Sequence, residues 1–169
     1  MLTSPLQDAL NEQIKNEIFS AHVYLSMSAW LDSKGLPGMA GWMRAQYQEE
    51  LTHGLKIFDF IADRGGRAVV PQIDLPPAEW SSVLDAFESA YKNELLVSKM
   101  INDLYELAIS EADRPTQVML QWFIAEQVEE EKSVSLIVDQ LKLGGGDGGT
   151  LLLLDDRLGA RAAAAAPAA

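Results

Sequence analysis

At 169 residues the chain is long enough to bury one sizeable core, and 25 Asp and Glu against 13 Lys and Arg leave it at a formal charge of -12, which argues against nucleic acid as a partner. Cysteine is absent, so disulfides, thiolate zinc sites and cysteine nucleophiles are excluded. The chain opens without a basic stretch followed by an apolar run, and no segment reaches the roughly 18 apolar residues of a membrane span. A soluble cytoplasmic protein with no membrane partner is therefore the expectation.

Met1 to Thr3 are expected to be loose, with Ser4 as N-cap and Pro5 at the first helical position. A first helix then runs from about Leu6 to Lys34, and Gly35 ends it. Leu36-Pro37-Gly38 turns the chain into a second, antiparallel helix, from about Pro37 to Arg64. The next stretch, Gly65 to Trp80, holds three prolines and two glycines and reads as an extended strap. Sixteen such residues at roughly 3.3 Å each reach about 50 Å, while a helix of about 28 residues is roughly 42 Å long. The strap can cross the whole bundle, so the third helix, from Ser81 or Ser82 to Glu111, runs parallel to the second. Asp113-Arg114-Pro115 turns into a fourth helix, from about Pro115 to Leu143. The fold class is thus all-α: a four-helix bundle over residues 1–143 with one long crossover between its second and third helices. A Gly-rich hinge at 144–149 leads to a short fifth helix at 150–158, and the Ala-rich tail at 159–169 is expected to be disordered. Leu151 to Leu154 need cover, from the parent bundle or from a symmetric subunit contact.

Each long helix carries an apolar seam interrupted near its centre by polar residues. Glu17 interrupts the first, Gln46, Glu50 and His53 the second, Glu94 the third, and Gln127 and Glu130 the fourth. All fall near the middle of helices of similar length, so they meet in one layer whichever way each helix runs. Four carboxylates with no lysine or arginine on the same seams repel one another, and a bound multivalent cation is the simplest compensation. A metal-free hydrogen-bonded network would need several carboxylate pKa values to rise together. Glu50 and His53, at i and i+3, share one helix face. His22, off the seam, reads as a surface or interface residue, and Glu131 as part of a solvated face.

With Glu17, Tyr24, Glu50-x-x-His53, Glu94, Trp122 and Glu126-Gln127-x-Glu129-Glu130 in view, the chain resembles a bacterial non-haem ferritin over roughly Leu6 to Leu158. The resemblance implies a ferritin-like bundle with a di-iron ferroxidase centre: Glu17, Glu50 and His53 hold one iron, and Glu50 bridges to a second held by Glu94 and Glu130. It also implies a third, looser iron site at Glu49, Glu126, Glu129 and Glu130, with Gln127 as a weak or outer ligand and Tyr24 and Trp122 as electron donors. Hard oxygen donors with one imidazole suit iron or manganese better than copper. The implied activity is oxidation of Fe(II) by oxygen or peroxide and storage of ferric mineral in a hollow homo-oligomeric shell of about 24 subunits.

Departures sort the subfamilies. Bacterioferritins carry a second Glu-x-x-His where this chain has Gln127-Val128-Glu129-Glu130, and a haem-binding methionine where it has Thr52, so haem is not expected. Animal ferritins line threefold pores with carboxylates at positions corresponding to Gln117 and Leu120, which turns attention to a path more directly through the bundle. The alternative function is a rubrerythrin-like enzyme that reduces peroxide or oxygen without storing iron, although that family brings a cysteine-rich domain absent here. A shell that only mineralises, like ferritin light chains, lacks the ligands this chain has.

Overall fold

Proline and glycine punctuate the helices of the computed structural model, which describes residues 2–165, with side chains to residue 160. Five helices follow one another: α1 Ser4–Ser33, α2 Pro37–Asp63, α3 Val83–Ser110, α4 Arg114–Leu143 and α5 Gly148–Ala165. The described residues include no strand. Pro5, Pro37 and Pro115 lie in first turns, where a missing N–H costs nothing. Gly35 (φ 77°) and Gly65 (φ 70°) end α1 and α2 in the left-handed region. Leu36 N–H and Gly66 N–H then donate back to Leu31 O and Ile61 O at 3.1 and 2.9 Å.

Caps differ from expectation at one end. Thr3, not Ser4, is the N-cap of α1, because Gln7 N–H closes on Thr3 O at 3.0 Å and draws Ser4 into the helix. Ser82 caps α3 by accepting from Asp85 N–H, and Asp113 caps α4 by accepting from Thr116 N–H, both at 3.0 Å. Asp113 also takes a two-pronged bond from Arg64 at 2.9 and 2.8 Å, tying the end of α2 to the start of α4.

Apolar residues gather in two clusters. One joins the C-terminal half of α1, the N-terminal halves of α2 and α3, and the C-terminal half of α4; the other joins the four opposite halves. That pairing makes α2 and α3 parallel and each antiparallel to its hairpin partner, the expected crossover. The connecting strap follows α1: Gln7 accepts from Arg67 N–H, Asn11 from Val69 N–H, and further along Trp30 donates to Glu79. Between the two clusters lies a layer of buried polar side chains on all four helices. Leu120 is fully buried in the second cluster, so the pore position assigned to it faces the core instead.

Helix α5 starts earlier and ends later than expected. Asp147 accepts from Thr150 N–H at 3.1 Å and draws Gly148 and Gly149 into the first turn. The alanines beyond Leu158, the strongest helix formers, carry it to Ala165. Residues 159–165 are therefore helical where disorder was expected; Met1 and residues 166–169 lie outside the described residues. Leu154 and Leu158 bury in the first cluster, while Leu152 and Leu153 stay 65% and 71% exposed. Asp155 Oδ1 accepts from Met39 N–H at 2.7 Å, supplying α2 with the cap that Leu36 cannot. The two backbones approach so closely that a Cβ on Gly38 would lie 1.9 Å from Asp155 O.

Candidate metal centre

Within one turn of each helix's midpoint, the seams place Glu17, Glu50, His53, Glu94, Gln127 and Glu130 in one layer, all buried. Hydrogen bonds fix four of these six. Gln13 Nε2 donates to Glu17 Oε1 and Gln46 Nε2 to Glu130 Oε2, each at 2.8 Å. Gln127 Nε2 donates to Glu94 Oε2 at 3.2 Å, and the Tyr24 hydroxyl donates to Glu94 Oε1. Gln13 was not anticipated; its only signal is its place one turn before Glu17.

Three other atoms of the layer have no partner. Glu17 Oε2, Glu50 Oε2 and His53 Nδ1 are buried without hydrogen bonds. They point at one another: His53 Nδ1 is 3.5 Å from Glu50 Oε2 and 4.0 Å from Glu17 Oε2. Metal–donor bonds of roughly 2.0–2.2 Å put two ligands of one ion about 3–4 Å apart, so the three donors fit a cation between them. A buried orphan carboxylate oxygen costs several kcal/mol in its charged form, which a cation removes.

Electrostatics carry the same message. Burial, followed by the charges of Glu17 and Glu94, pushes the Glu50 carboxyl well above its ordinary range. Burial pushes Glu94 up to about 7, against the bonds from Tyr24 and Gln127. Burial and the neighbouring Glu49, Glu94 and Glu126 push Glu130 up to about 8. The Tyr24 phenol is raised too, by burial first and by Glu94 next. Burial first and repulsion among the acids second penalise the charged forms, and a bound cation offsets both.

A second group opens toward the surface. Glu49 and Glu126 bring carboxylate oxygens close enough to His53 to form a three-ligand cluster, so His53 belongs to both groups. Glu129 does not join it: the side chain is exposed and lies 3.6 Å from Lys132 Nζ, because its helical position turns away from the α2 face. Glu94 and Glu130 share the layer with Glu50 but fall outside the two tight clusters. Trp122 packs edge-on against His53, with ring centroids 5.4 Å apart, under the Lys56 ammonium at 4.1 Å. His22 is half-buried, its Nδ1 2.7 Å from Ile18 O, away from the layer. Glu131, expected to be solvated, is half-buried and accepts from the Ser98 hydroxyl.

Residues 7–144 match the family model described as a ferritin-like domain. The chain is 42% identical over 161 residues to a bacterial non-heme ferritin of Bacteroides fragilis, covering 95% of this chain and 100% of the relative. A bacterial non-heme ferritin of Escherichia coli is 38% identical over 158 residues, covering 94% of this chain and 96% of the relative. Among solved structures, an open-pore ferritin from the hyperthermophilic archaeon Archaeoglobus fulgidus superposes with a TM-score of 0.93 at 48% identity, covering 94% of this chain and 98% of that one.

Proposed function

The chain belongs to the ferritin family, and we propose that it oxidises Fe(II) to Fe(III) with oxygen or peroxide at the buried layer and stores the ferric product inside a hollow shell of about 24 copies. Iron is here the substrate and cargo. The observation that carries the reading is the set of three orphaned buried donors, Glu17 Oε2, Glu50 Oε2 and His53 Nδ1, converging on one point. Glu17, Glu50 and His53 take one ion; Glu50, Glu94 and Glu130 take a second. Carboxylates bind a trivalent ion more tightly than a divalent one, so a layer with this many acids favours the oxidised product. Repulsion among the acids before loading adds to that bias, and metal uptake expels the protons that burial retains on Glu94 and Glu130.

Glu49 and Glu126, with His53, form the looser third site, through which ferric ions pass toward the cavity; Glu129 at the surface and Gln127 beside Glu94 assist from outside these clusters. Tyr24, in contact with Glu94, is placed to give up an electron when oxygen needs more than two ferrous ions supply. Shell assembly is supported by apolar side chains that one chain alone leaves in water, Val70 and Leu75 on the strap at 81% and 93% exposed and the Leu152 and Leu153 pair on α5. Among the described residues no helix is long and apolar enough to cross a membrane, in keeping with a cytoplasmic site of action.

Aerobic addition of ferrous iron should produce a transient visible absorbance, and Glu50→Ala combined with His53→Ala should abolish it. Unchanged oxidation by the double variant rules out the assigned centre. Gel filtration should give a particle of several hundred kilodaltons, and a species near the 18.5 kDa of one chain removes the storage reading. That species with oxidation intact would favour the rubrerythrin-like alternative.

A further inference from the structure

A small cleft of about 100 Å³ opens on the seam between α3 and α4, lined by Ser98, Asn102, Gln127 and Glu131 among the side chains of Ile101, Ile124 and Val128. It has room for several waters or one partly hydrated ion. Its floor is Gln127, and Gln127 is also a wall of the buried layer: the same Nε2 donates to Ser98 Oγ in the cleft and to Glu94 Oε2 in the layer, each at 3.2 Å. One side chain therefore separates the cleft from Glu94.

We propose that this cleft is a transit site through which a hard divalent cation passes from the bundle surface to Glu94, with Glu131 as the collecting carboxylate and the Gln127 amide as the gate. The inference rests on the metal-centre reading above. The donor set is one carboxylate, one hydroxyl and two amides, oxygen chemistry that suits a hard cation and offers nothing to a soft one. A single negative charge binds such an ion weakly enough to release it, as conduction requires. With the cleft empty, the Gln127 amide presents donors to both sides, and these repel a cation. Half a turn about its last torsion exchanges the amino group for the carbonyl oxygen. The oxygen then faces the ion as it moves from Glu131 and Ser98 toward Glu94. The Ser98 hydroxyl, now bonded to Glu131, is freed in the same movement to offer its own oxygen.

Cobalt(II) uptake by the full-length apo protein, followed by stopped-flow absorbance, separates transit from holding. Glu131→Gln should slow uptake threefold or more at low metal, and Ser98→Leu, which fills the cleft, by tenfold or more. Both should reach the unaltered endpoint, and Glu106→Gln, an exposed acid elsewhere on α3, should change neither rate nor endpoint. Unaltered rates in Glu131→Gln and Ser98→Leu overturn the proposal, as does a lower endpoint in Glu131→Gln, which would make this acid a ligand of the centre. Failure of the unaltered protein to bind cobalt removes the centre itself, a result distinct from normal binding at an unchanged rate.

Discussion

Replacing Gly38 by alanine sets two effects of opposite sign against each other. Gly38 is the second residue of α2, and alanine there gains at most about 1 kcal/mol of helix propensity. The added Cβ would sit 1.9 Å from Asp155 O, a backbone atom that cannot swing aside, and Gly159 approaches Gly38 Cα to within 3.0 Å of its own ideal Cβ. Helix α5 must therefore move off. Its departure breaks the 2.7 Å bond from Met39 N–H to Asp155, worth about 1–2 kcal/mol because the acceptor is charged. It also exposes Leu154 and Leu158, each worth about 1.5–3 kcal/mol when fully buried. Partial re-docking recovers some of this, and the net loss should be about 2–4 kcal/mol. Hydrogen exchange resolved by peptide should show α5 losing protection while the central turns of α1 to α4 keep theirs, and the chain should become cleavable at Gly144 to Gly149. A variant that is more stable, with α5 still protected, would refute the reasoning and show that the close approach relaxes at no cost.

In the metal-free protein Glu94 and Glu130 titrate near 7 and 8 instead of 4.5, so the folded state keeps protons that the unfolded chain releases. Their contribution is whole below about pH 4.5 and is lost as pH rises through 7 to 8, each tenfold gain in proton affinity on folding being worth about 1.4 kcal/mol. The urea midpoint should accordingly fall between pH 5 and pH 8, and a midpoint that rises over this range contradicts the buried-acid account. Tyr24→Phe removes the bond to Glu94, and stopped-flow absorbance should show slower iron oxidation with undiminished metal uptake. Arg64→Ala leaves Asp113 without its guanidinium at the junction of α2 and α4 and should cost about 2 kcal/mol in a denaturant melt. Asp113→Ala should cost about 1 kcal/mol more, since the cap to Thr116 is lost as well.

The layer was legible because burial of an acid violates the seam pattern, and a violation repeated at the same depth on four helices, at Glu17, Glu50, Glu94 and Glu130, has few physical causes. Helix ends were legible where Gly35 and Gly65 had to adopt positive φ. Three features were not legible, each for its own reason. Gln13, and the bond that Gln46 makes to Glu130 from its expected place on the seam, depend on amide orientation, which no spacing encodes. The cap from Asp155 to Met39 spans 116 residues and depends on two glycines meeting across a helix crossing. Glu129 and Glu131, neighbours of Glu130, are separated by one fact of rotation: Glu129 turns to solvent beside Lys132, while Glu131 turns into the α3 seam and finds Ser98.

The acids at the waist of the bundle interrupt its greasy interior, leaving an upper and a lower half-core that scarcely touch. Few apolar contacts tie the halves together across the middle turns, which marks those turns as the weakest part of the metal-free bundle. An ion held among Glu17, Glu50 and His53 would rivet the halves together. Loading would stiffen the molecule from its centre outward.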